Sequence, residues 1–230
     1  ISDPHNDLEI LTLQNGQYQS SFHGIKPIFI RSNELVYSSP DNFIFNGINE
    51  FRSFNINSIR FISTGIQSID MVGGNYNVLL LPSENNRKQK YSSLSDINGK
   101  YKVNLENSEQ GDIEADYVWV YFTLPYYDQL PEKEVYVYGE LTNWQITPQN
   151  QMQYNYQRSA YELRLQLKQG YYNYRYVVKD IKSGEIDPTF FEGNHFETEN
   201  DYLILVYYKQ IGIRYEILVG IKRLNSRNSN

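Results

Sequence analysis

Apolar and polar residues alternate at a period of two along most of this 230-residue chain, and no apolar stripe of useful length appears at helical spacing. Residues 8–14 (LEILTLQ) run into Asn15-Gly16, a pair that tolerates positive φ and predicts a hairpin. Shorter runs follow at 26–30, 34–37 and 43–45, separated by Ser, Asn and Pro, which favour turns. Residues 52–62 alternate less cleanly, Gly73-Gly74 breaks the pattern, and 76–81 resumes it. Beyond a polar loop at 82–90, Asp96-Ile97-Asn98-Gly99 signals a second hairpin, with 100–105 as the returning strand.

Residues 106–112 (ENSEQGD) are acidic, polar and aperiodic, the composition of a linker. Past them, 115–124 (ADYVWVYFTL) is so rich in aromatic and β-branched residues that it predicts a strand buried on both faces. Residues 134–144 read as a strand ending in a Gly-containing loop that presents Trp144. Two alternating strands, 161–167 and 171–178, flank the turn 168–170, and 201–209 and 214–221 close the pattern. These elements predict an all-β chain of two tandem β-sandwich domains, 1–111 and 112–222, with a frayed polar tail at 223–230.

Composition agrees with that class. Tyr 22, Phe 11 and Trp 2 favour pleated, half-buried surfaces. With no cysteine there is neither a disulfide nor a thiolate metal site, and the redox compartment stays open. A formal charge of -6 supplies no basic field for nucleic acid or anionic lipid. No apolar run approaches the roughly eighteen residues of a membrane helix, and no basic-then-apolar leader opens the chain. Because it starts at Ile1 and enters a strand almost at once, it reads as a processed protein or an excised C-terminal part of a longer one.

Candidate chemistry is sparse. Trp144 either stacks on a sugar ring or plugs the end of a sandwich core. The acidic run 191–202, with Glu192, His195, Glu197, Glu199 and Asp201, lacks the spacing of a Ca²⁺ loop and reads as a solvated loop. His5 and His23 have no ligand-spaced neighbours, and Gly73-Gly74 lacks the strand–helix context of a phosphate loop. The expectation is no enzyme, no cofactor and no metal.

Two resemblances sharpen this reading. The run from Val135 through Gly139 to Asn143-Trp144, with Gly170 to Val178 as the following strand, resembles the early-set, immunoglobulin-like carbohydrate-binding modules of the glycogen-binding type. That likeness implies a sandwich for the second domain. It also implies an α-glucan site made by Trp144, Arg175 (where those modules carry a sugar-contacting Lys), Thr198 and Asn200. Their second platform Trp is missing here: residues 179–188 contain none, and only Phe190 and Phe191 stand nearby.

Over its whole length the chain resembles the C-terminal two-thirds of the type IX secretion system plug protein family. The strings that carry this are DLEILTLQNG (7–16), IFIRSNEL (28–35), Asn49-Glu50-Phe51-Arg52, DINGK (96–100), ADYV (115–118), residues 139–144, MQYN (152–155), LKQGYYNY (167–174) and EGNHFETENDYLIL (192–205). The resemblance implies a periplasmic, outer-membrane-associated protein without catalysis. Its partner would be the outer-membrane translocon barrel, whose inner mouth it occludes when no substrate is in transit. It implies neither nucleic-acid binding nor direct membrane insertion, with a glycan as the alternative ligand. Rings alternate along strands, so about half of those in Tyr-rich stretches such as 126–127, 154–156, 171–176 and 207–208 should face away from their own core and serve such an interface.

Overall fold

A computed structural model describes residues 3–22, 24–31, 34–38, 44–209 and 212–227. His23, Phe43 and the last three residues of the expected tail lie outside them. The strands in chain order are β1 (Leu8–Gln14), β2 (Gln17–Phe22), β3 (Phe29–Arg31), β4 (Glu34–Val36), β5 (Arg52–Asn55), β6 (Ile66–Val72), β7 (Asn75–Leu80) and β8 (Tyr101–Val103). They continue with β9 (Tyr117–Pro125), β10 (Lys133–Tyr138), β11 (Gln153–Asn155), β12 (Ala160–Lys168), β13 (Gly170–Asp180), β14 (Ile186–Asp187), β15 (Asp201–Tyr208) and β16 (Ile217–Asn225). The α-helices among the described residues are single turns, α1 (Pro4–Asp7) and α2 (Gly111–Glu114), and no helix is long and apolar enough to cross a membrane. The all-β class holds.

The chain divides into two compact units, but not where the sequence suggested. One unit is Ile48–His195; the other joins Ile1–Gly47 to Phe196–Asn230. The boundary expected at 111/112 is therefore corrected: one unit is inserted in the sequence of the other. The reason is strand pairing. All of β1 is in register with β15, from Leu8 opposite Tyr208 to Gln14 opposite Tyr202. Meanwhile β5 to β8, expected in a first domain, pair with β9 and β13 or with each other. The expected linker is ordered structure: Glu106 N–H donates to Asn57 O at 2.9 Å, and Gly111 is buried at the start of α2. The tail begins later than expected, because Arg223 still pairs with Leu203 in β16.

The discontinuous unit holds a four-stranded antiparallel sheet in the order β16-β15-β1-β2, together with the β3-β4 hairpin. Asn15 (φ 52) and Gly16 (φ 71) make the anticipated turn between β1 and β2.

The continuous unit is a two-sheet sandwich. One sheet is ordered β11-β12-β9-β7-β6, antiparallel except for the β7–β9 pair. The other is built on β13, flanked by β8 then β10 along one edge and by β5 then β14 along the other. Phe54, Val135, Val137, Tyr172, Tyr174, Tyr176 and Val178 face Val78, Leu80, Val118, Val120, Phe122, Leu124 and Tyr161 in one core. Tyrosine serves as core residue because each hydroxyl finds a partner. Tyr174 and Tyr176 share Ser83 Oγ at 3.2 and 2.9 Å, and Tyr172 donates to Lys168 O at 2.6 Å. Strand β9 departs from expectation: only its even-numbered side is buried, while Tyr117, Trp119, Tyr121 and Thr123 face outward.

Candidate functional site

On the outer side of the β13 sheet, β10 leads into Gly139, where a side chain would press on Asn173 O and Gly99 O at 3.0 and 3.2 Å. A 3-10 turn over Glu140–Thr142 follows, and Asn143 and Trp144 both take left-handed φ values of 53 and 56. This tight loop folds the indole back onto the sheet. Its ring meets Tyr138 edge-on at 5.5 Å and Phe51 edge-on at 6.1 Å, with Gly99 beneath it. The alternative that the sequence left open is thereby narrowed: Trp144 packs as a plug over a small satellite cluster with Tyr136, Tyr138 and Val177.

Arg175 of β13, opposite Tyr138, is almost wholly buried at 5 % exposure. Its guanidinium sits 3.5 Å from the centroid of the Phe51 ring, and its Nε finds no hydrogen-bond partner among the described residues. Burial lowers its pKa to about 10, against the opposing pull of Glu192, Asp96, Tyr138 and Glu50. The DINGK turn covers this face: Ile97 N–H donates to Asn173 Oδ1, Asn173 N–H to Lys100 O, and Phe51 N–H to Asp96 Oδ2. Arg175 is thus a packed cation on β13.

Thr198 and Asn200 belong to the other unit, where their roles are structural. Asn200 Nδ2 donates to Gly47 O at 3.1 Å and Thr198 O at 3.3 Å, and its Oδ1 accepts from Asn15 Nδ2 at 2.8 Å. These bonds tie the β1–β2 turn to the start of β15, and both residues are buried.

Glu192 overturns the reading of 191–202 as a solvated loop. It is fully buried, pairs with Arg52 at 2.9 Å, and accepts Tyr176 N–H at 2.9 Å where neither β5 nor β14 covers that edge of β13. Burial pulls the Arg52 pKa down, but the Glu192 carboxylate more than offsets it and the net shift is upward. Among the described residues no group of three or more His, Asp or Glu is placed to hold a metal ion.

The sequence reading passed over the outer face of the other sheet. There Arg164 stacks on Trp119 at 4.7 Å, Lys168 lies over Tyr117 at 5.6 Å, and Tyr121 donates to Asn77 Oδ1 at 3.1 Å. Two clefts of ≈ 420 and ≈ 450 Å³ share Leu79, Tyr121 and Arg164. One signal was present in the sequence: the odd positions of β9 from 117 to 123 (Tyr, Trp, Tyr, Thr) carry a polar atom, while its even positions are purely hydrocarbon.

The fold and surfaces together define an all-β protein with a two-sheet sandwich, one sheet covered on its outer side and the other open. No protein-family model matches the chain, and no curated protein matches it. It is similar to a hypothetical protein of known crystal structure from Parabacteroides merdae, at 32% sequence identity with a TM-score of 0.92 over 98% of this chain. The chain spans 56% of that protein's length.

Proposed function

We propose that this chain is a non-catalytic protein-interaction module of the type IX plug kind, which seals the periplasmic mouth of the outer-membrane translocon barrel. On this reading it is periplasmic and outer-membrane associated, and its sandwich is an early-set, immunoglobulin-like domain turned from sugar binding to protein contact. The observation that supports it is the open face of the β9 sheet. Trp119, Arg164 and Tyr121 stand together beside a cleft that Val72, at 66% exposure, also lines. Trp, Tyr and Arg are the residues that dominate protein–protein binding energy. Tyr127 and Tyr156, at 86% and 74% exposure, are further rings of the kind expected outside the core.

The test is co-purification of the full-length protein with the translocon barrel under resting conditions. Association is expected, and it weakens when Trp119 and Arg164 are both changed to Ala. Consistent failure to associate overturns the gating role. The alternative, an α-glucan site at Trp144, Arg175, Thr198 and Asn200, has less to support it. Trp144 and Arg175 are committed to packing, and Thr198 and Asn200 to the β1–β2 turn.

A further inference from the structure

Strand β16 is the outermost strand of its sheet, and among the described residues nothing pairs with its far side. The register shifts between Val206 and Tyr207, so the regular part of this edge runs from Gly220 to Asn225. Two flanking bonds show which way its backbone points. Ser226 N–H donates to Asn200 O at 2.9 Å on the β15 side, and Asp201 O accepts from Asn15 N–H at 2.7 Å on the β1 side. Backbone groups of an antiparallel strand alternate in direction from one residue to the next. Gly220, Lys222 and Leu224 therefore turn theirs inward to β15, while Ile221 and Arg223 turn theirs to the open side. An extended segment laid along this edge meets two N–H and two C=O groups that no described residue takes up.

The side chains along the edge are uncovered as well. Ile221 is 59% exposed and Leu224 41%. Between them stand Lys222 and Arg223, both exposed and neither in an ion pair among the described residues. Lys222 lies opposite Ile204 and Arg223 opposite Leu203, which puts the two cations on opposite faces of the sheet. One acidic residue cannot meet both. Because successive residues of a strand also face opposite ways, the complement is two consecutive acidic residues with an apolar residue on either side. A second copy of this chain cannot supply it: no two acidic residues are adjacent anywhere in the 230 residues.

We propose that the free edge of β16 takes up an extended segment of another polypeptide, of the pattern apolar-acidic-acidic-apolar, as an added strand. The site lies in the discontinuous unit and depends neither on the translocon reading nor on the open face of β9. The experiment titrates the full chain into two fluorescein-labelled strand-forming peptides, with fluorescence anisotropy as the readout. The peptides differ only at their centre, Ile-Glu-Glu-Ile in one and Ile-Lys-Lys-Ile in the other. Saturable binding of the acidic peptide is expected, at least about ten-fold tighter than that of the basic one. Lys222→Glu combined with Arg223→Glu, both at exposed positions, should reverse the preference. Ile221→Pro removes an outward N–H without breaking a bond to β15, a change that edge strands tolerate, and should weaken binding about ten-fold. The proposal is overturned if the acidic peptide does not saturate; the two cations then only guard the edge against chance pairing. It is equally overturned if both peptides bind alike, if the charge-reversed variant keeps the parent's preference, or if an Ile221→Pro chain with the parent's circular dichroism binds as the parent does. Where Ile221→Pro fails to fold, the charge-reversed variant decides alone.

Discussion

Trp144 and Trp119 are both half-buried, yet their surroundings differ in kind. Trp144 is held edge-on by Tyr138 and Phe51 over a buried Arg175, on a sheet face closed by the DINGK turn. Trp119 stands on an open face with Arg164 laid across it and a cleft alongside. Fractional exposure alone does not separate a plug from a contact residue; the identity of the neighbours does. The covered face needs Trp144 for packing, whereas the open face presents Trp119 to whatever arrives.

Alkaline pH should produce the largest effect and act on the core and covered side together. Burial raises Tyr136, Tyr138, Tyr161, Tyr172, Tyr174 and Tyr176 above the ordinary value of 10.0. Below that value folded and unfolded chains both keep the protons. Above it the unfolded chain gives them up first, so stability falls as pH rises past 10.0. Arg175, lowered to about 10, works in the opposite sense, but it is one group against six. Urea midpoints between about pH 9 and about pH 11 should therefore decline steeply. A flat profile would mean that these rings are more hydrated than their burial indicates.

Arg52→Met comes next. It strands the Glu192 carboxylate, which is fully buried, and should cost about 3–5 kcal/mol in urea unfolding. Arg164→Met on the open face should cost no more than about 1 kcal/mol, the scale of an exposed cation–π contact. Equal losses would erase the distinction between the two sides.

Trp144→Ala should destabilise by about 2–3 kcal/mol, less than a fully enclosed ring. Gly99→Ala should do comparable damage, since its Cβ would meet Trp144 and Phe51 at 2.4 Å and its φ is 77. The smallest effect belongs to Trp119→Ala, which should leave thermal unfolding within about 1 kcal/mol of the parent while weakening partner binding. If Trp119→Ala unfolds the protein as readily as Trp144→Ala does, the open face is structural.

Local pattern carried much of the architecture. The Asn15-Gly16 hairpin, the strand leading into Trp144 and the separate strands β12 and β13 were legible because turn chemistry and period-two alternation are properties of neighbouring residues. The chain also turns at Asn98-Gly99, but β8 after it pairs with β13 instead of closing the expected hairpin. The candidate sites were less so. Trp144 stood out as a lone ring on a loop, and nothing in its own segment announced Phe51, which lies more than ninety positions away. Glu192 looked solvated among other acids because its partner, Arg52, lies 140 positions away.

By itself, the order of residues determined that this is an all-β chain and where most strands and turns fall. Only the tertiary structure decided that β1 pairs with β15, so that the units are nested in sequence rather than consecutive. It also decided that Arg175 is buried, that Glu192 fills the open edge of β13, and that one tryptophan is covered while the other is not. The reason is physical: alternation and turn propensity act over a few residues, but pairing, burial and ion partnership are set by contacts between segments far apart in the chain, whose free energies no local pattern records.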